Sequence, residues 1–397
     1  MSQEEIVGLD PRSNRPICIT MEEGAIARIE ETNEDTDLYL CAGFVDLQVN
    51  GYAGFDLNAE QISTETVSGL VRALLAQGVT CFMPTLISAP EEIICRALMV
   101  IAEARRNDAT VAACVPSVHV EGPSISPIDG YRGAHPAEAI RPPSIAEFTR
   151  WQDAANGLVG MVTLSPHFDE SEEYIAALVK RGVHVALGHT HATPEQISAA
   201  VEAGASLATH LGNGIALEIP RHRNAIWRQL ADERLTASFI ADGHHLPWDV
   251  LKVMLRAKGM KRSVLVSDSV ALAGMPPGIY TSPVGGQVEC SPNGRLSVRG
   301  SEVLAGSTAS LPQCIARAVQ MTDLPLHDVL TMATANPGSF AGGRGRVAVG
   351  ARADLVRFQW KQDIAVKDVR LAGKRIVAGQ DQRAMLNSKS YENQNFR

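Results

Sequence analysis

No CxxC pair occurs among the seven cysteines of this 397-residue chain. Their odd number and their scatter over Cys18, Cys41, Cys81, Cys95, Cys114, Cys290 and Cys314 argue for reduced thiols and a cytoplasmic setting. No apolar run reaches the roughly 18 residues of a membrane span, and the opening Met-Ser-Gln-Glu-Glu is acidic where a signal peptide is basic. Membrane partners are therefore not expected. Lys/Arg-rich runs are also missing and the net charge is −8, so the electrostatic footprint of a nucleic-acid binder is absent. The GxGxxG turn of a dinucleotide-binding open sheet is lacking as well.

What is present is a repeated strand-then-helix pattern. Apolar runs near 42–47, 79–83, 111–120, 158–164, 183–187, 205–209, 235–241 and 263–267 alternate with stretches of helical spacing. Those stretches lie near 63–77, 90–106, 144–155, 171–181, 194–203, 224–233, 247–258 and 308–321. Eight such units predict an α/β fold, a (β/α)₈ TIM-type barrel over residues 41–340. Residues 276–303, rich in Pro and Gly turn signals, predict hairpins after the eighth strand. Short β-like segments in 1–40 and 341–380 predict one small flanking β domain built from both chain ends, and 381–397 reads as a polar tail.

The chemistry of such barrels sits where the strands end. Those ends carry Asp46, Gln48 and Asn50, then Glu121, His189 and His191, His210, Asp242, His244 and His245, and finally Asp268. Glu121, His189 and His210 can supply three ligands to a zinc-type ion with one position left open. Such an ion lowers the pKa of its water to about 7 and polarises a carbonyl. A nearby carboxylate must then move protons, and Asp268 is the candidate. His119 and His184 fall within strands and read as packing or hydrogen-bonding residues, and His222 and His327 as surface or helix-end residues. His167 and His191 lie at the mouth and could line it. Asp46 and Asp242 could orient the ligands.

The chain resembles the N-acetylglucosamine-6-phosphate deacetylases of the amidohydrolase superfamily. The likeness rests on Ala-Gly-Phe-Val-Asp-Leu-Gln-Val-Asn-Gly (42–51), His-Val-Glu-Gly-Pro (119–123), Gly-His-Thr (188–190) and Ala-Thr-His-Leu (208–211). It continues through Ile-Ala-Asp-Gly-His-His (240–245), Val-Ser-Asp (266–268) and Leu-Ala-Gly-Ser (304–307). Gln48 and Asn50 stand where most amidohydrolases carry His-x-His, so the resemblance implies one divalent ion, zinc, on Glu121, His189 and His210. It implies Asp268 as general acid/base and His135 as a substrate-contacting histidine that helps polarise the acetyl carbonyl.

For the sugar phosphate the resemblance implies Asn213, Gly214, Arg221 and His245, with Arg221 and His245 reaching the site across a homodimer interface. Ala134, Leu304, Ala305 and Gly306 match further substrate-contacting positions. Gly-Asn-Gly-Ile (212–215) and Arg-His-Arg-Asn (221–224) depart from the family's Tyr-Asn-Ala-Met and Arg-Glu-Pro-Gly. The reaction implied is hydrolysis of the N-acetyl group of an amino sugar 6-phosphate, giving the free amine and acetate. Alternatives are another N-acyl substrate, such as N-acetylgalactosamine 6-phosphate or an unphosphorylated compound, and a non-catalytic sugar-phosphate-binding barrel. A cyclic amidase with two metals needs a bridging carboxylated lysine, and no lysine stands at a barrel strand end.

Overall fold

The computed structural model describes residues 4–283 and 285–378. Eight strands lie side by side in chain order: Phe44–Val49, Val79–Ile87, Val118–Glu121, Val159–Leu164, His184–Leu187, Leu207–Ala208, Thr236–Ile240 and Ser263–Val266. Every neighbouring pair is parallel. A parallel bridge between Val49 and Ser269 brings the first strand against the last. The Asn50 amide donates to Ser269 O at 2.8 Å across that seam, and the Ser267 amide to Asp46 Oδ1 at 3.2 Å. The sheet thus closes nearly into a barrel.

The helices form where the spacing predicts, because short polar side chains cap them. Ser63 accepts from the Thr66 amide at the start of Thr64–Ala76, and Thr193 forms a reciprocal box with Gln196 ahead of Pro194–Glu202. One expected strand is corrected. Of the run 111–120 only Val118–Glu121 is strand, while Ala109–Cys114 is a short helix. Asp108 accepts from the Thr110 and Val111 amides and so nucleates that helix, which buries Val111 and Cys114.

The second strand exceeds its predicted length, running to Ile87 through Pro84. Its pairing with the first strand slips between Asp46 and Val49, opposite Phe82 and Pro84. Proline donates nothing to a ladder, and an extra residue on the facing strand absorbs the mismatch. Val45 and Leu47 therefore face the barrel interior, packed with Met161, Ala186, Ile240 and Val264. After the bulge Gln48 and Asn50 reach into the mouth, hydrogen bonded to Glu121 and Asp268.

Both chain ends build one flanking sheet, in the order Lys374–Ala378, Ile364–Leu371, Leu355–Trp360, Leu38–Ala42, Glu4–Leu9, Pro16–Glu22 and Ala25–Glu31. Ile6, Ile19, Met21, Ile26, Leu40 and Leu355 form part of its own buried core. A three-stranded meander of Gly278–Ser282, Gly286–Cys290 and Leu296–Val298 follows the eighth strand, as the turn signals predict. The polar tail 381–397 lies outside the described residues.

Candidate active site

Glu121, His189, His210 and Asp268 all lie just at or past strand ends, and three of them sit in the left-handed region. His189 has φ 47°, His210 φ 31° and Asp268 φ 47°. Such backbone costs about 1–3 kcal/mol at a non-glycine residue and persists only where the surroundings impose it. Gly188 supplies part of that constraint, since a Cβ there would stand 2.9 Å from both Thr163 Cγ2 and Thr209 Cβ.

The resulting cluster is tight. His210 Nε2 lies 2.9 Å and His189 Nε2 3.5 Å from Glu121 Oε1, and one donor atom from each of the three residues falls within 4.8 Å of the others. All three residues are buried. Donors around one tetrahedral ion at ~2.1 Å stand roughly 3.4 Å apart, so one carboxylate and two imidazoles at these separations fit a single divalent ion of the zinc type. Burial works against the Glu121 carboxylate, yet hydrogen bonds from His189 and His210 hold it well below the usual carboxylate range. Gln48 Nε2 adds a bond to Glu121 Oε1 at 3.1 Å. His189 is oriented from behind by its Nδ1, 3.0 Å from Tyr131 O.

Asp268 faces this cluster. Its burial, and then the Glu121 carboxylate, push it up to about 7. Asn50 Nδ2 donates to Asp268 Oδ1 at 2.9 Å, which leaves Asn50 Oδ1 buried without a hydrogen-bond partner. His135 stands on the other side, its ring 4.5 Å from that of His189 and its Nε2 3.9 Å from Glu121 Oε2. Burial, and then the neighbouring His189, push the His135 imidazole down to about 3. Ala134 is half-buried beside it.

The other expected residues divide. Asp242 accepts from the amides of His244 and His245 at 2.9 Å each and from His245 Nδ1 at 2.7 Å. Burial opposes charge on His245, but Asp242 raises it above the ordinary histidine value. Leu304, Ala305 and Gly306 reach the mouth through Ser307, whose amide donates to Asp268 O at 3.1 Å. Asn213 is bonded to His210 O, and a Cβ on Gly214 would stand 2.7 Å from His189 Nδ1. Arg221, with His222 and Arg223, lies exposed on its loop, away from these contacts.

His119 is buried between Leu47 O at 3.1 Å and Thr163 Oγ1 at 2.7 Å, a packing role as expected. His167 and His191 line the mouth with ring centroids 4.2 Å apart. Asp46 holds the barrel seam through Ser267 rather than a ligand. Two contributors were not foreseen, the Tyr131 carbonyl and Ser88. A backbone oxygen leaves no trace in sequence, but Ser88 follows the second strand directly, and a correct strand end would have flagged it.

Residues 39–376 match the model of the Amidohydrolase family. N-acetylglucosamine-6-phosphate deacetylase of Bos taurus is 34% identical over 360 residues, covering 86% of this chain and 84% of that protein. N-acetylgalactosamine-6-phosphate deacetylase of Escherichia coli O157:H7 is 32% identical over 343 residues, covering 84% and 88%. An Asp-to-Ala mutant of N-acetyl-D-glucosamine-6-phosphate deacetylase from Mycobacterium smegmatis, in complex with N-acetyl-D-glucosamine-6-phosphate, superposes with TM-score 0.85 at 29% identity. That match covers 95% of this chain and all of the other.

Proposed function

The chain belongs to the amidohydrolase family, and from that premise we propose that it hydrolyses the N-acetyl group of an amino sugar 6-phosphate, N-acetylglucosamine 6-phosphate first. The observation that carries this reading is Asp268, buried, held by Asn50 and facing a three-donor cluster. Relatives named for the same reaction support it.

Glu121, His189 and His210 would hold one divalent ion, zinc by the chemistry of the donor set, which when bound supplies Lewis acidity toward water and an acyl oxygen. Asp268 takes a proton from the attacking water and returns it to the departing amine, a task its buried carboxylate facing the three donors suits. Asn50 holds the Asp268 carboxylate in line. His135 donates toward the oxygen on which negative charge develops. Ala134 and Leu304 to Gly306 line the sugar's side of the mouth. Asn213 and Gly214 receive the phosphate.

Arg221 and His245 complete that phosphate site from a second copy. The exposure of Arg221, beside a fully exposed Leu217 and a Trp227 that is 51% exposed, supports a homodimer through this face. Among the described residues no helix is long and apolar enough to cross a membrane. The seven cysteines are free, which supports a cytoplasmic setting.

The test is acetate release from N-acetylglucosamine 6-phosphate, with metal content measured on the same sample. About one ion per chain is expected, and Asp268→Asn should lower kcat by roughly 10²–10⁴-fold while leaving the metal in place. The Escherichia coli relative makes N-acetylgalactosamine 6-phosphate the second substrate to assay. If neither sugar phosphate is turned over by fully loaded protein, the reading fails.

A further inference from the structure

Ser88 is the first residue past the second barrel strand and is 1% exposed. Its backbone amide points at His135 Nδ1, 3.4 Å away, and its own Oγ lies 2.9 Å from the same nitrogen. A backbone amide only donates, so Nδ1 offers it a lone pair. A neutral imidazole carries one proton, which then resides on Nε2. The other tautomer would set two N–H groups against each other at Ser88 and aim the Nε2 lone pair at the Glu121 carboxylate. With Nε2 protonated, the 3.9 Å to Glu121 Oε2 is too long for a hydrogen bond, and the donor stays free for a third group in the mouth.

The packing around Ser88 serves the same end. A Cβ on Gly122 would stand 2.2 Å from Ser88 Oγ, so the residue after Glu121 leaves room for this hydroxyl. The Arg132 guanidinium donates to His135 O at 2.7 Å and holds the loop from the other side.

We propose that Ser88 is a positioning residue that fixes His135 as the Nε2–H tautomer, with that N–H directed at the acyl oxygen of the substrate. The inference rests on the amide-hydrolysis reading for its consequence, but its structural half stands on the resting protein.

The experiment is ¹⁵N-histidine NMR of the zinc-loaded full-length chain, the His135 signals assigned by their loss in His135→Gln. The expected wild-type signature is an unprotonated Nδ1 and a protonated Nε2. Ser88→Ala keeps the backbone amide and so the Nε2–H tautomer, but the ring loses the hydroxyl that holds it in line, and kcat falls about tenfold with KM and metal content unchanged. Ser88→Thr, which keeps the hydroxyl, restores the rate. A protonated Nδ1 in the wild type overturns the proposal. So does a Ser88→Ala protein with the wild-type kcat, or one whose KM and metal content change along with it. The expected tautomers in a wild type that turns over no sugar phosphate would sink the deacetylase reading and leave Ser88 in its place.

Discussion

Charge at single residues decides how this mouth handles an anion. His245 is raised above the ordinary histidine value by Asp242, 2.7 Å away, and Asp242 is correspondingly lowered. A raised histidine is fully charged below the ordinary value near 6.5, and its charge is lost as pH climbs through the raised one. The substrate phosphate is a dianion above about pH 6. KM for a 6-phosphate sugar should therefore stay low to beyond pH 6.5 and rise above the raised value, while KM for the unphosphorylated sugar stays flat. Asp242→Asn should shift that rise to lower pH. Steady-state KM against pH, for both sugars, checks it. At this scale the three clustered donors and Asp268 were legible as candidates because each stands at or just past the end of an apolar run. His245 and Asp242 were legible as candidates, but their pairing was not, since a bond three residues apart depends on the turn between them.

Elements are joined by buried polar ties as well as by apolar contact. Lys258, at the end of helix Trp248–Lys258, is 1% exposed and donates to Gln229 O and Asp232 O, at 2.7 Å each, at the end of helix Ala225–Ala231. Burial pushes its amine down to about 8. Lys258→Met should strand two carbonyls and cost about 1–3 kcal/mol, read as a Tm lower by several degrees with kcat unaffected. Chelation should also lower Tm, because an ion bound only by the folded state adds to stability, and readdition of zinc should restore it. Apolar periodicity located the eight helices, but it misjudged 111–120 and the end of the second strand. Apolar spacing over a few residues does not separate a buried helical turn from a strand, and Pro84 reads as a stop unless a bulge in the neighbouring strand accommodates it.

For the whole molecule the open question is the second copy. If Arg221 serves the partner's site, Arg221→Ala and Asp268→Asn should each be nearly inactive alone yet complement when mixed and re-dissociated. A mixed dimer then holds one site with both residues intact, and activity should recover to about a quarter of wild type. Absence of recovery, with mixed dimers verified by native mass spectrometry, would place Arg221 in its own subunit's site or outside both.

The sequence by itself determined the repeat of strand and helix and the polar group after each strand, because each is a local pattern of apolar period and turn chemistry. Only the tertiary structure decided which of those groups meet. Gln48 finds Glu121 across 73 residues, Asn50 finds Asp268 across 218, and Ser88 finds His135 across 47. Those encounters follow from barrel closure at Val49 and Ser269 and from one bulge opposite Pro84, and neither is written in any single stretch of the chain.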